Sequence, residues 1–370
     1  MAPSPDATPA RRSGPLPGVL SATLGRALSP LYRFEINRRN RAYDRGVGVT
    51  RLDRPVISVG NLSVGGTGKT PMVKLVVSHL IDVGKHPAIA MRGYKGTDSS
   101  EGSAFTSDEA IEYQQTLIPW SDGTHVPIVA QPDRTDGLRV LFATHVGSKV
   151  DCVVLDDGFQ HRKLDRDCDI VLIDATRSPW EDRLLPQGWL REPIQSLARA
   201  HAVVITHAES VHASVLQDLK GRLKALTPRA VLAVAEHGWS GLVEAGTGGD
   251  AGREVSWLRG RRAVVVCAIG NPRPFVQAAR AATGSESPAI ALPDHDSYGP
   301  AAMRRVQEAI ERAHADLVLT TEKDWAKLAA RQTAAWGVPV VRPRLRMMLR
   351  EGREELESLL TNTVSSAGRR

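Results

Sequence analysis

The sequence predicts a doubly wound α/β fold with a mostly parallel sheet, and a second, smaller α/β domain joined to it by a β-hairpin linker. Three observations carry this prediction. Six short apolar runs between Pro55 and Ile205 are each followed by a turn and a helical pattern, and the runs are continuous rather than alternating, as parallel strands covered on both faces require. A glycine-rich loop ending in Gly68-Lys69-Thr70 joins the first run to a helical pattern. After Pro228 the composition shifts, and a second strand-and-helix series begins at Arg261.

A chain of 370 residues is too long for one ordinary core, which fits two domains of unequal size. With 42% hydrophobic and 24% charged residues the composition is that of a globular protein, and no apolar run is long enough to cross a bilayer. The formal net charge of +7 favours anionic partners, be they nucleotides, phosphorylated substrates, nucleic acid or an acidic membrane face. Cys152, Cys168 and Cys267 are too widely spaced for a disulfide framework or a zinc site. They read as small core residues in a reducing compartment.

Residues 1–15, rich in Pro, Ala, Ser and Arg, read as disordered and lack the apolar stretch of a secretory signal. Their Arg and Ser content is that of a transit peptide, against which Asp6 and their shortness weigh. In residues 16–45, Leu16, Leu20, Leu24, Leu28, Leu31 and Tyr32 recur near helical spacing with Arg26, Arg33, Arg38, Arg39 and Arg41 between them. Two readings stand open: a helix lying on an anionic membrane, or one docked on the protein's own core.

The core, residues 46–228, holds predicted strands at Pro55–Val59, Pro87–Met91, Val126–Ala130, Cys152–Leu155, Ile170–Ile173 and Ala202–Ile205. Residues 229–260 read as hairpin and linker, with short β pieces at Val231–Val234 and Gly241–Glu244 before the glycine-rich Gly246–Gly252. Residues 261–360 form the smaller domain, with strands at Ala263–Ile269, Leu317–Thr320 and Val338–Val341. Residues 361–370 read as a disordered tail.

The first strand runs through Gly60-Asn61-Leu62 into Ser63-Val64-Gly65-Gly66-Thr67-Gly68-Lys69-Thr70, and the helical pattern Met72–Leu80 follows. This is the context of a P-loop NTPase-like phosphate site. Gly65, Gly66 and Gly68 let successive N–H groups converge on one anion at a helix N-terminus. Lys69 can reach the β- and γ-phosphates of ATP, and the Thr70 hydroxyl can hold Mg²⁺. Ser63 stands where the usual pattern begins with glycine, so the entry geometry is expected to differ. The strand Cys152–Leu155 ends in Asp156-Asp157, which places carboxylates beside the loop in the Walker B manner. Two adjacent like charges are costly without a cation nearby. Arg191 and Glu192, in the turn-rich 185–193 segment, are candidates for phosphate and metal contact. From the residues alone this reading is even with a purely structural one.

Together these segments resemble the tetraacyldisaccharide 4'-kinase (lipid A 4'-kinase) family over roughly residues 16–359. The resemblance rests on Ile57–Asn61 with Gly65–Pro71, Arg92-Gly93-Tyr94, Asp156–His161 and Leu185-Pro186 with Leu190–Pro193. In the second domain it rests on Ala268–Pro272 with Phe275, Asp294-His295 and Thr321–Asp324, and near the N-terminus on Asn40–Gly46.

The resemblance implies Mg²⁺-dependent transfer of the ATP γ-phosphoryl group to the 4'-hydroxyl of an anionic, tetraacylated glucosamine disaccharide 1-phosphate. It further implies peripheral work at the cytoplasmic face of a bacterial inner membrane, with residues 16–45 on the bilayer, and neither nucleic acid nor a protein partner. Lys69 and the loop 63–68 would hold the phosphates, Thr70, Asp157 and Glu192 would arrange Mg²⁺, and Asp156 would belong to the catalytic set. The family's base segment, Gly-Asp-Glu-Pro, corresponds to Ser107-Asp108-Glu109-Ala110. Asp108 is therefore the implied base, although Thr106–Glu109 would equally serve as a helix N-cap. His295 is its implied partner, which requires the two domains to close. The stretch 112–123 has no family counterpart. Two alternatives stand beside this reading. One is another P-loop kinase or a GTPase acting on a soluble small molecule, although Thr206-His207-Ala208-Glu209 does not match the GTPase base-reading pattern. The other is a non-catalytic, nucleotide-regulated binding module, although no nucleic-acid motif appears.

Overall fold

The computed structural model describes residues 25–93, 108–245, 251–293, 296–329, 331 and 333–366. The expectations for residues 1–24, Ser107, Asp294, His295 and the tail residues 367–370 lie outside these. The chain divides into two compact units, Met1–Glu236 with Leu349–Arg370, and His237–Met348.

The first unit is built on seven strands: β1 (Val56–Asn61), β2 (Pro87–Met91), β3 (Ile128–Ala130), β4 (Cys152–Asp156), β5 (Cys168–Asp174), β6 (Ala202–Thr206) and the first part of β7 (Val231–Ala245). Their order is β3-β2-β4-β1-β5-β6-β7, and every neighbouring pair is parallel. Strands β1, β2, β4, β5 and β6 are buried at every position, which is why their sequences lack a polar face. The chain leaves β1 for β2 on one side and returns to β5 on the other. The C-terminal edge of β1 is therefore a topological switch point, where such sheets place their ligands.

Helix α1 (Arg26–Asp44) precedes β1, α2 (Lys69–Asp82) follows it, and α3 (Asp108–Thr116) precedes β3. Helix α4 (Arg134–Phe142) follows β3 and α5 (Ala213–Leu226) follows β6. Helix α2 buries Met72, Val73, Val76, Val77 and Leu80, an i, i+4, i+8 stripe set against the sheet.

The second unit orders its strands β10 (Ala289–Ala291), β9 (Ala263–Cys267), β11 (Leu317–Thr320) and β12 (Val340–Glu351), all parallel. It also holds α6 (Pro272–Thr283), α7 (Pro300–Ala313) and α8 (Glu322–Leu328). The predicted hairpin is present, since β8 (Ala251–Arg253) pairs antiparallel with Leu242–Glu244 of β7.

Three expectations are corrected. The short pieces Val231–Val234 and Gly241–Glu244 are one strand of 15 residues. Gly238 sits within the strand where a Cβ would come 2.7 Å from the Met348 methyl, a close approach that glycine permits. The strand predicted at Val338–Val341 continues to Glu351. The tail expected to be disordered is helical as far as Ser366 in α9 (Arg353–Ser366). Leu356, Leu360 and Val364, spaced by four, are buried, and Thr361 Oγ1 lies 3.0 Å from His79 Nε2 of α2. The last helix thus returns to the first unit rather than closing the second.

Candidate active site

The loop 63–70 leaves β1 at the switch point. Gly60, in the last turn of the strand, has no room for a side chain, because a Cβ there would stand 2.7 Å from the Phe159 backbone nitrogen. Gly65 and Gly68 take φ of 128° and 83°, which side-chain-bearing residues rarely adopt. Ser63 has no need of glycine: it forms an antiparallel bridge with Leu190. On either side, Val64 N–H donates to Trp189 O at 2.9 Å and Arg191 N–H to Leu62 O at 2.7 Å. The entry to the loop is held as a short piece of extended structure, which accounts for the departure from the usual pattern.

The loop's far arm is fixed by buried polar bonds. Asn61 Nδ2 donates to Thr67 Oγ1 at 2.7 Å, and Thr206 Oγ1, at the end of β6, donates to Thr67 O at 3.0 Å. His207 takes a left-handed conformation with φ of 57°. Burial pulls its imidazole down, but bonds to Glu209 and the Gly66 backbone, with the charge of Asp174, raise it above the ordinary value.

Lys69 and Thr70 open α2. Lys69 Nζ lies 3.7 Å from Asp157 Oδ1. Arg191 Nη1 donates to both Asp157 oxygens, at 2.9 and 2.8 Å, and stands 3.3 Å from Gln160 Oε1. Gln160 Nε2 in turn donates to Asn61 O at 2.9 Å. Burial pushes the Asp157 carboxyl up, but Lys69 and Arg191 outweigh it and hold the group below the usual carboxylate range. Asp157 itself has φ of 50°, a strained placement for a non-glycine residue beside the loop.

Asp156 differs from its neighbour. It is 6% exposed, and Oδ2 accepts from the Tyr113 hydroxyl at 3.0 Å. Oδ1 is buried with no hydrogen-bond partner. Burial raises its pKa, a rise that Tyr113 and Lys69 offset only in part. An orphaned carboxylate oxygen beside a phosphate loop fits a cation that arrives with its nucleotide. Among the described residues no cluster of three or more His, Cys, Asp or Glu is arranged for a metal by itself.

Glu192, implied as a metal ligand, is completely buried. Arg199 donates to both of its oxygens at 3.1 to 3.3 Å, and Asn40 Nδ2 to Oε2 at 2.8 Å. Its lone pairs are taken by a buried ion pair that pins α1 to the core, so the geometry does not favour the metal role implied for it. Asp108 is the first residue of α3. His295 is outside the described residues.

Sequence reasoning missed four participants. Asn61 and Gln160 lie inside quoted motifs and were open to notice. Thr206 is signalled only by its place at the end of a strand two away from β1. Tyr113, outside every quoted motif, gave no signal.

Helix α1 shows that its two readings are not exclusive. Ser29, Tyr32, Ile36 and Asn40, at helical spacing, face inward: Ser29 Oγ bonds Leu184 O at 3.2 Å and Tyr32 OH bonds Arg191 O at 2.9 Å. Leu31 and Phe34, each 66% exposed, lie on the other side, with Leu28 also exposed. Among the described residues no helix is long and apolar enough to cross a membrane.

Residues 21–365 match the family model described as tetraacyldisaccharide-1-P 4'-kinase. The tetraacyldisaccharide 4'-kinase of Geobacter sulfurreducens is 36% identical over 330 residues, covering 86% of this chain and 88% of that one. The enzyme of the same name from Anaeromyxobacter sp. strain K is 33% identical over 364 residues, covering 96% and 94%. The crystal structure of LpxK from Aquifex aeolicus in complex with ATP superposes with a TM-score of 0.66 at 28% identity, covering 93% of this chain and 99% of that one. No finding favours a GTPase or a kinase of a soluble small molecule. The chain belongs to the tetraacyldisaccharide-1-P 4'-kinase family.

Proposed function

We propose that this protein transfers the γ-phosphoryl group of ATP to the 4'-hydroxyl of a tetraacyldisaccharide 1-phosphate, giving the bisphosphorylated lipid and ADP. The observation that carries the reading is the convergence of Lys69, Arg191 and Asp157 on the mouth of the glycine loop, in a chain matched to the family nearly end to end. Phosphoryl transfer asks for positioning and charge neutralisation more than covalent chemistry. The amides of residues 63–68 and the Lys69 ammonium hold the phosphates. Arg191 adds a second cation within reach of the same anion.

Thr70 and Asp157, with Asp156, are the residues that would hold Mg²⁺, and the unpaired Oδ1 of Asp156 supports this set. When bound, the ion neutralises charge developing on the transferred phosphoryl group. Asp108 receives the proton of the acceptor hydroxyl in this reading. That role, and the part of His295, rest on the family resemblance.

An acylated acceptor stays in its bilayer, so the enzyme meets it there. The exposed Leu28, Leu31 and Phe34 of α1 and the basic balance support a peripheral placement on an anionic membrane, the cytoplasmic face of the inner membrane. The test is incubation with ATP, Mg²⁺ and a tetraacyldisaccharide 1-phosphate in mixed micelles, followed by mass analysis of the lipid. Gain of one phosphoryl group with matching ADP release is expected. An unmodified lipid under conditions where the protein binds ATP overturns the reading.

A further inference from the structure

Tyr113 belongs to no motif, yet it is among the largest fully buried side chains of the molecule. Its hydroxyl donates to Asp156 Oδ2 at 3.0 Å. That bond joins α3 to the last residue of β4. A phenol keeps its proton at neutral pH, so the hydroxyl is the donor in this bond. The ring alone would fill the core as a phenylalanine does, and the hydroxyl is what reaches the carboxylate. With Oδ2 engaged, Asp156 is held in one orientation with Oδ1 left unpaired. The same helix is fastened a second time one residue earlier, where Lys74 of α2 pairs with Glu112 at 2.7 Å.

We propose that Tyr113 is a positioning residue for the divalent cation: its hydroxyl orients Asp156 and ties it to α3, the helix that Asp108 begins. The inference rests on the reading of Asp156 as a neighbour of the metal. It assigns a role to a residue outside every motif that the sequence singled out. Outer groups that orient metal-binding side chains commonly change metal affinity by roughly 10–100-fold when removed.

The test is Tyr113→Phe, with Mn²⁺ as the probe. Free Mn²⁺ is followed by electron paramagnetic resonance as it is titrated into protein saturated with ADP. Roughly tenfold weaker Mn²⁺ uptake than wild type is expected, with ADP binding in EDTA unchanged. Equal Mn²⁺ affinity in the two proteins overturns the inference while leaving the metal-site reading intact. If the wild-type ADP complex takes up no Mn²⁺, the metal-site reading itself fails and the inference falls with it. A second measurement does not depend on the variant folding. With 3-fluorotyrosine incorporated at position 113, the fluorine resonance is expected to shift when Mg²⁺ joins the ADP complex and to stay put with ADP alone. A resonance insensitive to Mg²⁺ counts against the proposal.

Discussion

Arg191 grips Asp157 through a single nitrogen that reaches both carboxylate oxygens, at 2.9 and 2.8 Å. Lys69 stands on the same carboxylate at 3.7 Å. In this arrangement the acid occupies the two cations that the phosphates need. Asp157→Asn is therefore expected to separate two functions. Mg²⁺-dependent turnover falls towards background, while ADP binding in EDTA, followed by calorimetry, is kept or tightened because Lys69 and Arg191 are released. Full turnover in the variant removes Asp157 from the metal site.

Glu192 is expected to act on stability. Replacing it with Gln leaves Arg199 facing a neutral group in a buried position, and breaking such pairs costs about 3 kcal/mol or more. Urea unfolding should show the loss, with the Mg²⁺ dependence of the folded variant unchanged. A shifted Mg²⁺ requirement at unchanged stability restores the metal role to Glu192.

Thr67 receives bonds from the ends of two strands, from Asn61 of β1 and from Thr206 of β6. Thr206→Val removes one buried hydrogen bond, worth about 1 kcal/mol. The expected result is a KM for ATP raised roughly five- to tenfold with kcat little changed. Steady-state kinetics at saturating acceptor distinguish this from a loss spread over both parameters.

His161 carries a pH signature. Burial, with the charges of Arg134, Arg166 and Lys163, pulls its imidazole down to about 4. The unfolded chain, with the group near its ordinary value of about 6.5, binds the proton more readily. The contribution of His161 to stability is thus fully present above about pH 6.5 and is lost as the pH falls towards 4. Urea midpoints of wild type should drop more between pH 7 and pH 5 than those of His161→Gln. Parallel curves refute this assignment.

Leu31 and Phe34 are each 66% exposed, so charging them should spare the fold. Leu31→Glu with Phe34→Glu is expected to reduce sedimentation with anionic vesicles by at least about tenfold. Turnover on a short-chain, water-soluble acceptor should be preserved. Unchanged vesicle binding removes this face of α1 from the membrane contact.

The strands were legible because burial on both faces leaves a continuous apolar run that needs no knowledge of partners, and Pro87–Met91 and Leu317–Thr320 match their predicted bounds. Where one strand changes environment along its length, as β7 does past Glu236, the local pattern broke and the strand was read as two pieces. In the site, Arg191 and Glu192 looked alike in sequence. The fold sends one to Asp157 and the other to Arg199.

What the sequence determined by itself is the phosphate loop and the family: the glycines, Lys69 and Thr70 are contiguous, and their function follows from backbone geometry over eight residues. Which carboxylate meets which cation was decided by tertiary structure, because Asp157 and Arg191 are 34 residues apart, and Tyr113 and Asp156 are 43 apart. Such pairings depend on the order of strands in the sheet and on which side chain the core can bury with its bonds satisfied. No local pattern of residues records either.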